Sequence, residues 1–244
     1  MKTIGLIGGM SWESTVPYYQ IINRTVKERL GGLHSAKIVL VSVDFHEIEG
    51  LMRAGRWDRL GERLADAALR VEAAGADLLL LCTNTLHKVA PQIEARIRIP
   101  LLHIVDTTGR EIRRRGLTRV GLLATRFTME EDFYRDRLAR THGIEALVPP
   151  AEDREVIHRV IFEELCRGKV LGPSRDEYLR IAAALVERGA EGIILGCTEI
   201  GMLLADGDLA VPFFDTTMLH ATEAAVLSIG DDAGDASRPG ATTP

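Results

Sequence analysis

A chain of 244 residues is long enough for one large domain or for two lobes of roughly 100 to 120 residues each. Its 46% hydrophobic and 27% charged content is that of a folded domain, and a formal net charge of −5 with pI near 5.8 argues against a nucleic-acid partner. No apolar run approaches the ~18 residues of a membrane span, and three cysteines do not make a disulfide framework. The expectation is a cytoplasmic protein with reduced thiols and neither a membrane nor a nucleic-acid partner.

In chain order, short β-branched or leucine-rich runs predict strands at residues 3–8, 37–43, 77–81, 100–104, 119–124, 144–148, 192–196 and 212–214. Helical patterns fall between them at 14–30, 58–74, 106–115, 129–141, 152–168, 175–188 and 215–228. Strands alternating with helices predict α/β lobes, each a mainly parallel sheet flanked by helices. The basic run Arg113-Arg114-Arg115 before Gly116 reads as a helix C-terminus rather than a phosphate site. Residues 230–244, small, polar and rich in Pro and Gly, read as a disordered tail.

The two halves repeat each other. Ile4-Gly5-Leu6-Ile7-Gly8-Gly9 resembles Val120-Gly121-Leu122-Leu123-Ala124-Thr125, and Ile99-Pro100-Leu101-Leu102 with Asp106-Thr107-Thr108 resembles Val211-Pro212-Phe213-Phe214 with Asp215-Thr216-Thr217. Between these landmarks Leu81-Cys82-Thr83-Asn84-Thr85 matches Gly196-Cys197-Thr198-Glu199, with Cys82 set over Cys197 at a separation of 115 residues. The resulting division is an N-terminal lobe over 1–105, to which the chain returns near 211–229, and a C-terminal lobe over 106–210. The two are pseudosymmetric, with the site in the cleft between them.

Ligands of such sheets bind beyond the carboxyl ends of the strands. Cys82 and Cys197 occupy that place, as do Gly8-Gly9-Met10-Ser11 and Thr125. A helix is expected to start after each cysteine, near Leu86 and Ile200, where its amides would lower a thiol pKa. Two thiols facing one carbon suit removal of a proton from one face and delivery to the other. Cys166, inside a helical pattern, reads as a small buried hydrophobe. His87, His103 and His220 read as hydrogen-bonded structural histidines or neighbours that tune a pKa. The glycines after the first strand do not have dinucleotide spacing, and no second ligand pair accompanies Cys82 and His87, so neither a nucleotide nor a metal is expected.

The paired motifs Cys-Thr-Asn-Thr and Gly-Cys-Thr-Glu, the opening Gly-Leu-Ile-Gly-Gly-Met-Ser and the stretch Arg126-Phe127-Thr128-Met129 resemble the aspartate/glutamate racemase superfamily, in its aspartate racemase branch. The resemblance covers residues 1 to about 229. It implies a homodimer acting on a small amino acid without pyridoxal phosphate, metal or other cofactor, with Cys82 and Cys197 as the catalytic acid and base. Substrate-binding candidates are Met10, Ser11, Thr83, Asn84, Thr85, Thr125, Thr198 and Glu199, the last as a holder of the substrate ammonium group. Lys169 in Leu165-Cys166-Arg167-Gly168-Lys169 resembles the segment that carries a substrate-binding lysine in the family. Some aspartate racemases place an arginine after the second strand; here that stretch reads Asp44-Phe45-His46-Glu47-Ile48-Glu49, and Met52 is expected to line the pocket instead. Aspartate, glutamate and apolar amino acids therefore all stay open as substrates. Alternatives are a superfamily isomerase or decarboxylase and a non-catalytic binder of acidic amino acids.

Overall fold

The computed structural model describes residues 1–230; the tail expectation for 231–244 lies outside them. Two parallel sheets organise the fold. The first has the order β2-β1-β3, from β1 (Ile4–Gly8), β2 (Ile38–Ser42) and β3 (Leu78–Leu81). The second has the order β5-β4-β6-β7, from β4 (Arg119–Ala124), β5 (Glu145–Leu147), β6 (Ile193–Gly196) and β7 (Phe213–Asp215). Strands β1, β3 and β6 are buried along their whole length, as parallel strands covered on both faces must be.

The helices are α1 (Trp12–Leu30), α2 (Phe45–Arg53), α3 (Trp57–Ala73), α4 (Ala90–Glu94), α5 (Ile104–Arg114), α6 (Arg126–Glu130), α7 (Asp132–His142), α8 (Ala151–Glu163), α9 (Gly172–Glu187) and α10 (Thr216–Ile229). The return to the first lobe is made by α10 alone. It packs against α1 and β1, burying Ala221, Ala224 and Ala225 on Tyr18, Ile22 and Val26, while β7 stays in the second sheet beside β6.

Two glycines serve the same close approach in both sheets. A Cβ on Gly5 would lie 2.2 Å from Val71 of α3, and one on Gly121 would lie 2.9 Å from Leu185 of α9. The helix that precedes β3 and the helix that precedes β6 thus press on equivalent points of β1 and β4.

Several boundaries differ from the sequence expectation. The strand expected at 100–104 is a single bridge, Leu79 to Leu101. The His103 ring accepts the Val105 amide and starts α5, which takes the chain out of the sheet. The helix expected at 129–141 divides into α6 and α7 at Glu131, whose backbone is extended. The helix expected at 152–168 ends at Glu163; a 3-10 turn, Leu165–Arg167, follows and closes on Gly168 at φ +69°. No α-helix begins directly after either cysteine motif, only the 3-10 turns Thr85–Val89 and Ile200–Met202. Among the described residues no helix is long and apolar enough to cross a membrane.

Candidate active site

The carboxyl ends of β1, β3, β4 and β6 open on one cleft, and sheet register decides which side chains face it. Ile7 of β1 pairs with Leu81, and Leu123 of β4 pairs with Leu195. With Gly5 set on Gly121, as their common packing requires, Leu81 corresponds to Leu195, Cys82 to Gly196 and Thr83 to Cys197. Setting Cys82 over Cys197 is therefore one residue out of step. In a strand a slip of one residue turns a side chain to the opposite face.

The core confirms the register. Leu78, Leu80 and Cys82 all pack into the layer between β1, α1 and α10, with Ile4, Leu6 and Tyr18, while Leu79 and Leu81 pack on the other side. Cys82 is fully buried there and lines neither of the two cavities of the cleft. Placing Cys82 in the cleft is thus corrected: the first-lobe residue that lines the chamber opposite Cys197 is Thr83.

The chamber gathers Met10, Met52, Thr83, Asn84, Thr85, Thr125, Cys197, Thr198 and Glu199, all expected from the sequence. Ser11 joins them through its hydrogen bond to Glu199. Lys169 does not: it is exposed and lines neither cavity, because the 3-10 turn after α8 carries it out to solvent.

Glu199 is the buried hub. Its Oε1 accepts from Ser11 Oγ at 2.7 Å and Cys166 Sγ at 3.5 Å, and its Oε2 from Thr198 Oγ1 at 2.6 Å and Cys197 Sγ at 3.0 Å. It makes no ion pair among the described residues. Its two oxygens are already engaged by four hydroxyl and thiol donors, an arrangement that suits exchange of the Cys197 proton more than capture of an ammonium ion. Asn84 offers the better acceptor: its Nδ2 donates to Thr216 Oγ1 at 2.9 Å, and its buried Oδ1 has no partner among the described residues. Thr85 and Thr125 join the lobes, their hydroxyls 2.9 Å apart and both within 3.2 Å of Thr128 Oγ1.

Burial pushes the Cys197 thiol well above its ordinary range, and the Glu199 carboxylate beside it pushes the same way. Burial likewise raises Cys82 and Cys166. The Glu199 amide lowers the Cys197 thiol, as expected of an amide at the start of a turn, but burial and the carboxylate outweigh it and the protonated thiol is the resting form.

Cys166 is the site residue that sequence reasoning missed. The break in α8 aims it at Glu199, and it lines both the chamber and a larger cavity outside it. The chamber holds about 20 Å³, room for one water but not for an amino acid. The outer cavity, about 800 Å³, is in the range of small-molecule sites. Phe45, Met52, Phe162 and Cys166 belong to both and form the partition. One outer wall is an aromatic run in which Phe45 stacks on Phe162, Phe162 meets His158 and His158 meets Phe127. Of the arginines there, Arg53, Arg126 and Arg159 face carboxylates, whereas Arg167 makes no ion pair among the described residues. Among the described residues no group of three or more His, Cys, Asp or Glu could hold a metal ion.

Comparison with known proteins places this arrangement. The profile of the Asp/Glu/hydantoin racemases matches residues 7–224. The crystal structure of an Asp/Glu racemase candidate from Yersinia pestis is 53% identical, covering 94% of this chain and 100% of its own, with a TM-score of 0.88. An aspartate racemase homologue from Pyrococcus horikoshii is 33% identical, covering 94% of this chain and 100% of its own, with a TM-score of 0.82. The broad-specificity amino-acid racemase RacX of Bacillus subtilis is 23% identical over 224 residues, which are 88% of this chain and 92% of RacX.

Proposed function

We propose, for a chain that belongs to the Asp/Glu/hydantoin racemase family and is an amino-acid racemase by that membership, that inversion at Cα runs between Cys197 on one face and Thr83 on the other. The observation that carries this reading is the register of the two sheets, which makes Thr83 and Cys197 equivalent and leaves Cys82 in the core.

Cys197 passes its thiol proton to Glu199, 3.0 Å away, and becomes the thiolate. The thiolate removes the Cα proton, and the electron pair left on Cα delocalises into the substrate carboxylate. Hydroxyl donors from Thr85 and Thr125, fixed before the substrate arrives, stabilise that charge; such preorganised donors are the largest single contribution in sites of this kind. The Thr83 hydroxyl delivers its proton to the opposite face; Cys197 keeps the proton taken from Cα, and the proton held by Glu199 passes through water to the Thr83 alkoxide, which restores all three groups. Substrate entry displaces the partition of Phe45, Met52, Phe162 and Cys166 so that the chamber and the outer cavity merge, and the substrate ammonium then lies against Asn84 Oδ1. The substrate is aspartate or glutamate if Arg167 engages a side-chain carboxylate; the aromatic wall of the outer cavity supports a second reading, broad specificity that includes apolar amino acids. Three free thiols suit work in the cytoplasm; the assembly inferred from the resemblance is a homodimer, each chain with one lobe over 1–105 completed by α10 and a second from 106 that runs on to β7.

Incubation of L- and D-amino acids in D2O, read by chiral chromatography and mass spectrometry, tests the assignment. The wild-type protein places deuterium at Cα with inversion, C197S loses both, C82S retains both, and T83A exchanges at the Cys197 face without inverting. Loss of inversion in C82S with T83A unaffected would restore the two-thiol pair. Full turnover by C197S would remove the mechanism altogether.

A further inference from the structure

Beneath the Thr83-Asn84-Thr85 turn lie three buried histidines that the reaction does not use. His87 packs against His103 at 4.5 Å between ring centroids and against His220 at 5.9 Å. Burial holds each ring neutral, and its hydrogen bonds then decide which nitrogen carries the proton. His220 Nε2–H donates to the Leu102 carbonyl at 2.8 Å, so its Nδ1 accepts from the Tyr18 hydroxyl, also at 2.8 Å. His103 Nδ1 accepts the Val105 amide at 3.3 Å. His87 is the member that reaches the site: its Nδ1–H donates to the Thr83 carbonyl at 2.7 Å, and its Nε2 accepts the Ile104 amide at 3.3 Å. A carbonyl accepts only from a protonated nitrogen and an amide donates only to a bare one, so these two bonds select one tautomer.

The His87 ring therefore ties the end of β3 to the start of α5. The second lobe has no counterpart to this clamp: behind Cys197 the corresponding turn carries Ile200 and Gly201. Among the described residues Thr83 has only its amide bond to the Leu81 carbonyl, at 2.8 Å, as a further backbone restraint. We propose that His87 is a positioning residue, whose Nδ1–H tautomer holds the Thr83 backbone so that its hydroxyl stands at the substrate face opposite Cys197. The proposal rests on the assignment of Thr83 made above. The two neighbouring rings flank His87 and its two hydrogen bonds hold it at both nitrogens, which is the order that a group within reach of Cα needs, since a misplacement of about 1 Å costs about a hundredfold in rate.

The test separates this role from packing. An asparagine at position 87 keeps a donor near Nδ1, whereas a glutamine places its amide near Nε2. H87Q is expected to lower the rate of inversion about tenfold or more, with KM within about twofold of wild type and deuterium still entering at the Cys197 face. H87N is expected to recover most of the loss. Equal losses in both variants, or collapse of exchange at the Cys197 face as well, would leave His87 a packing residue and overturn the proposal. The wild-type protein supplies a readout that no variant's folding can spoil: the 15N spectrum of its imidazoles at neutral pH should show His87 protonated on Nδ1 alone, and an Nε2–H form or an imidazolium would also overturn it. Retention of inversion in T83A would instead strike the underlying assignment, leaving the His87 tautomer as measured.

Discussion

The ends of β3 and β6 are the same structure built from different chemistry. Each leaves its sheet one residue past a buried apolar strand, and each enters a single 3-10 turn. At the position facing the cleft one carries a threonine and the other a cysteine; one residue earlier, the first carries a cysteine in the core and the second a glycine against Leu122. A duplicated fold can keep its backbone symmetry while its two proton-handling groups differ widely in acidity. The enzyme is then expected to treat the two faces of its substrate unequally.

The largest effect should come from the two cysteines. C197S replaces the thiol that touches Glu199 and should lower kcat by about 10³-fold, within the range of a lost general acid or base. C82S should leave kcat within about twofold and lower stability by about 1 kcal/mol, the cost of a hydroxyl among apolar side chains. Steady-state kinetics beside thermal melts distinguish the two, and a reversed pattern would break the register argument.

The next effect sharpens the asymmetry itself. The two enantiomers are equal in free energy, so kcat/KM is the same in both directions; the inequality must appear in kcat for each direction and in the deuterium content of recovered substrate. T83A should lower inversion by about a hundredfold. T83C puts a thiol opposite Cys197 and should bring the two kcat values together. If wild type already shows equal values, the two faces are served equally and the comparison fails.

These predictions depend on a detail that the amino-acid sequence hides. Strand-helix alternation, the glycine repeats and most of the chamber could be read from it, because hydrophobic periodicity and strand-end position are local properties. The pairing of Cys82 with Cys197 could not be tested there: β3 is Leu-Leu-Leu-Leu, so no alternation marks which face each residue takes, and a separation of 115 residues looks as good as one of 114. Only the pairing of β1 with β3 and of β4 with β6 resolves it. Cys166 was hidden for another reason. Residues 152–168 have a helical pattern, but the helix stops where Glu164 takes the Ser174 hydroxyl at 2.5 Å, a contact ten residues away in sequence.

The two lobes also differ in what lies beneath their turns, and pH should expose it. Burial, together with Arg137 near His103 and with His87 and Arg110 near His220, outweighs Asp106 at His103 and the Leu102 carbonyl at His220, and holds both rings down to about 3 from 6.5. Above pH 6.5 these rings are neutral in folded and unfolded chains alike and add no slope. Between 6.5 and 3 the unfolded chain binds protons that the folded chain refuses, so stability falls as pH falls, by about 1.4 kcal/mol per pH unit for each ring. Denaturant titrations from pH 7.5 to 4 should show the decline, and H220Q should flatten it by about one ring's share.

The smallest effect tests the register without touching the chemistry. A methyl on Gly5 would sit 2.2 Å from Val71 Cγ1 and 3.0 Å from the Leu78 carbonyl, whereas the three atoms nearest one on Gly121 all belong to side chains, Ile193 Cδ1 at 2.7 Å and Leu185 Cδ1 and Cβ at 2.9 and 3.2 Å. Side-chain ends yield more easily than a strand backbone. G5A should therefore cost about 2 to 3 kcal/mol and G121A about 1 kcal/mol, within the range for overpacked cores. For a chain of this size, 1 kcal/mol moves Tm by about 2 to 4 °C. If Gly5 and Gly121 are equivalent, then Val71 and Leu185 are their equivalent neighbours: V71A should recover part of the loss in G5A, and L185A part of the loss in G121A. Coupling in both lobes fixes β3 on β6 with Thr83 over Cys197. Coupling in one lobe alone would mean that the two helices press on different points, and the correspondence that excludes Cys82 from the cleft would lose its packing support.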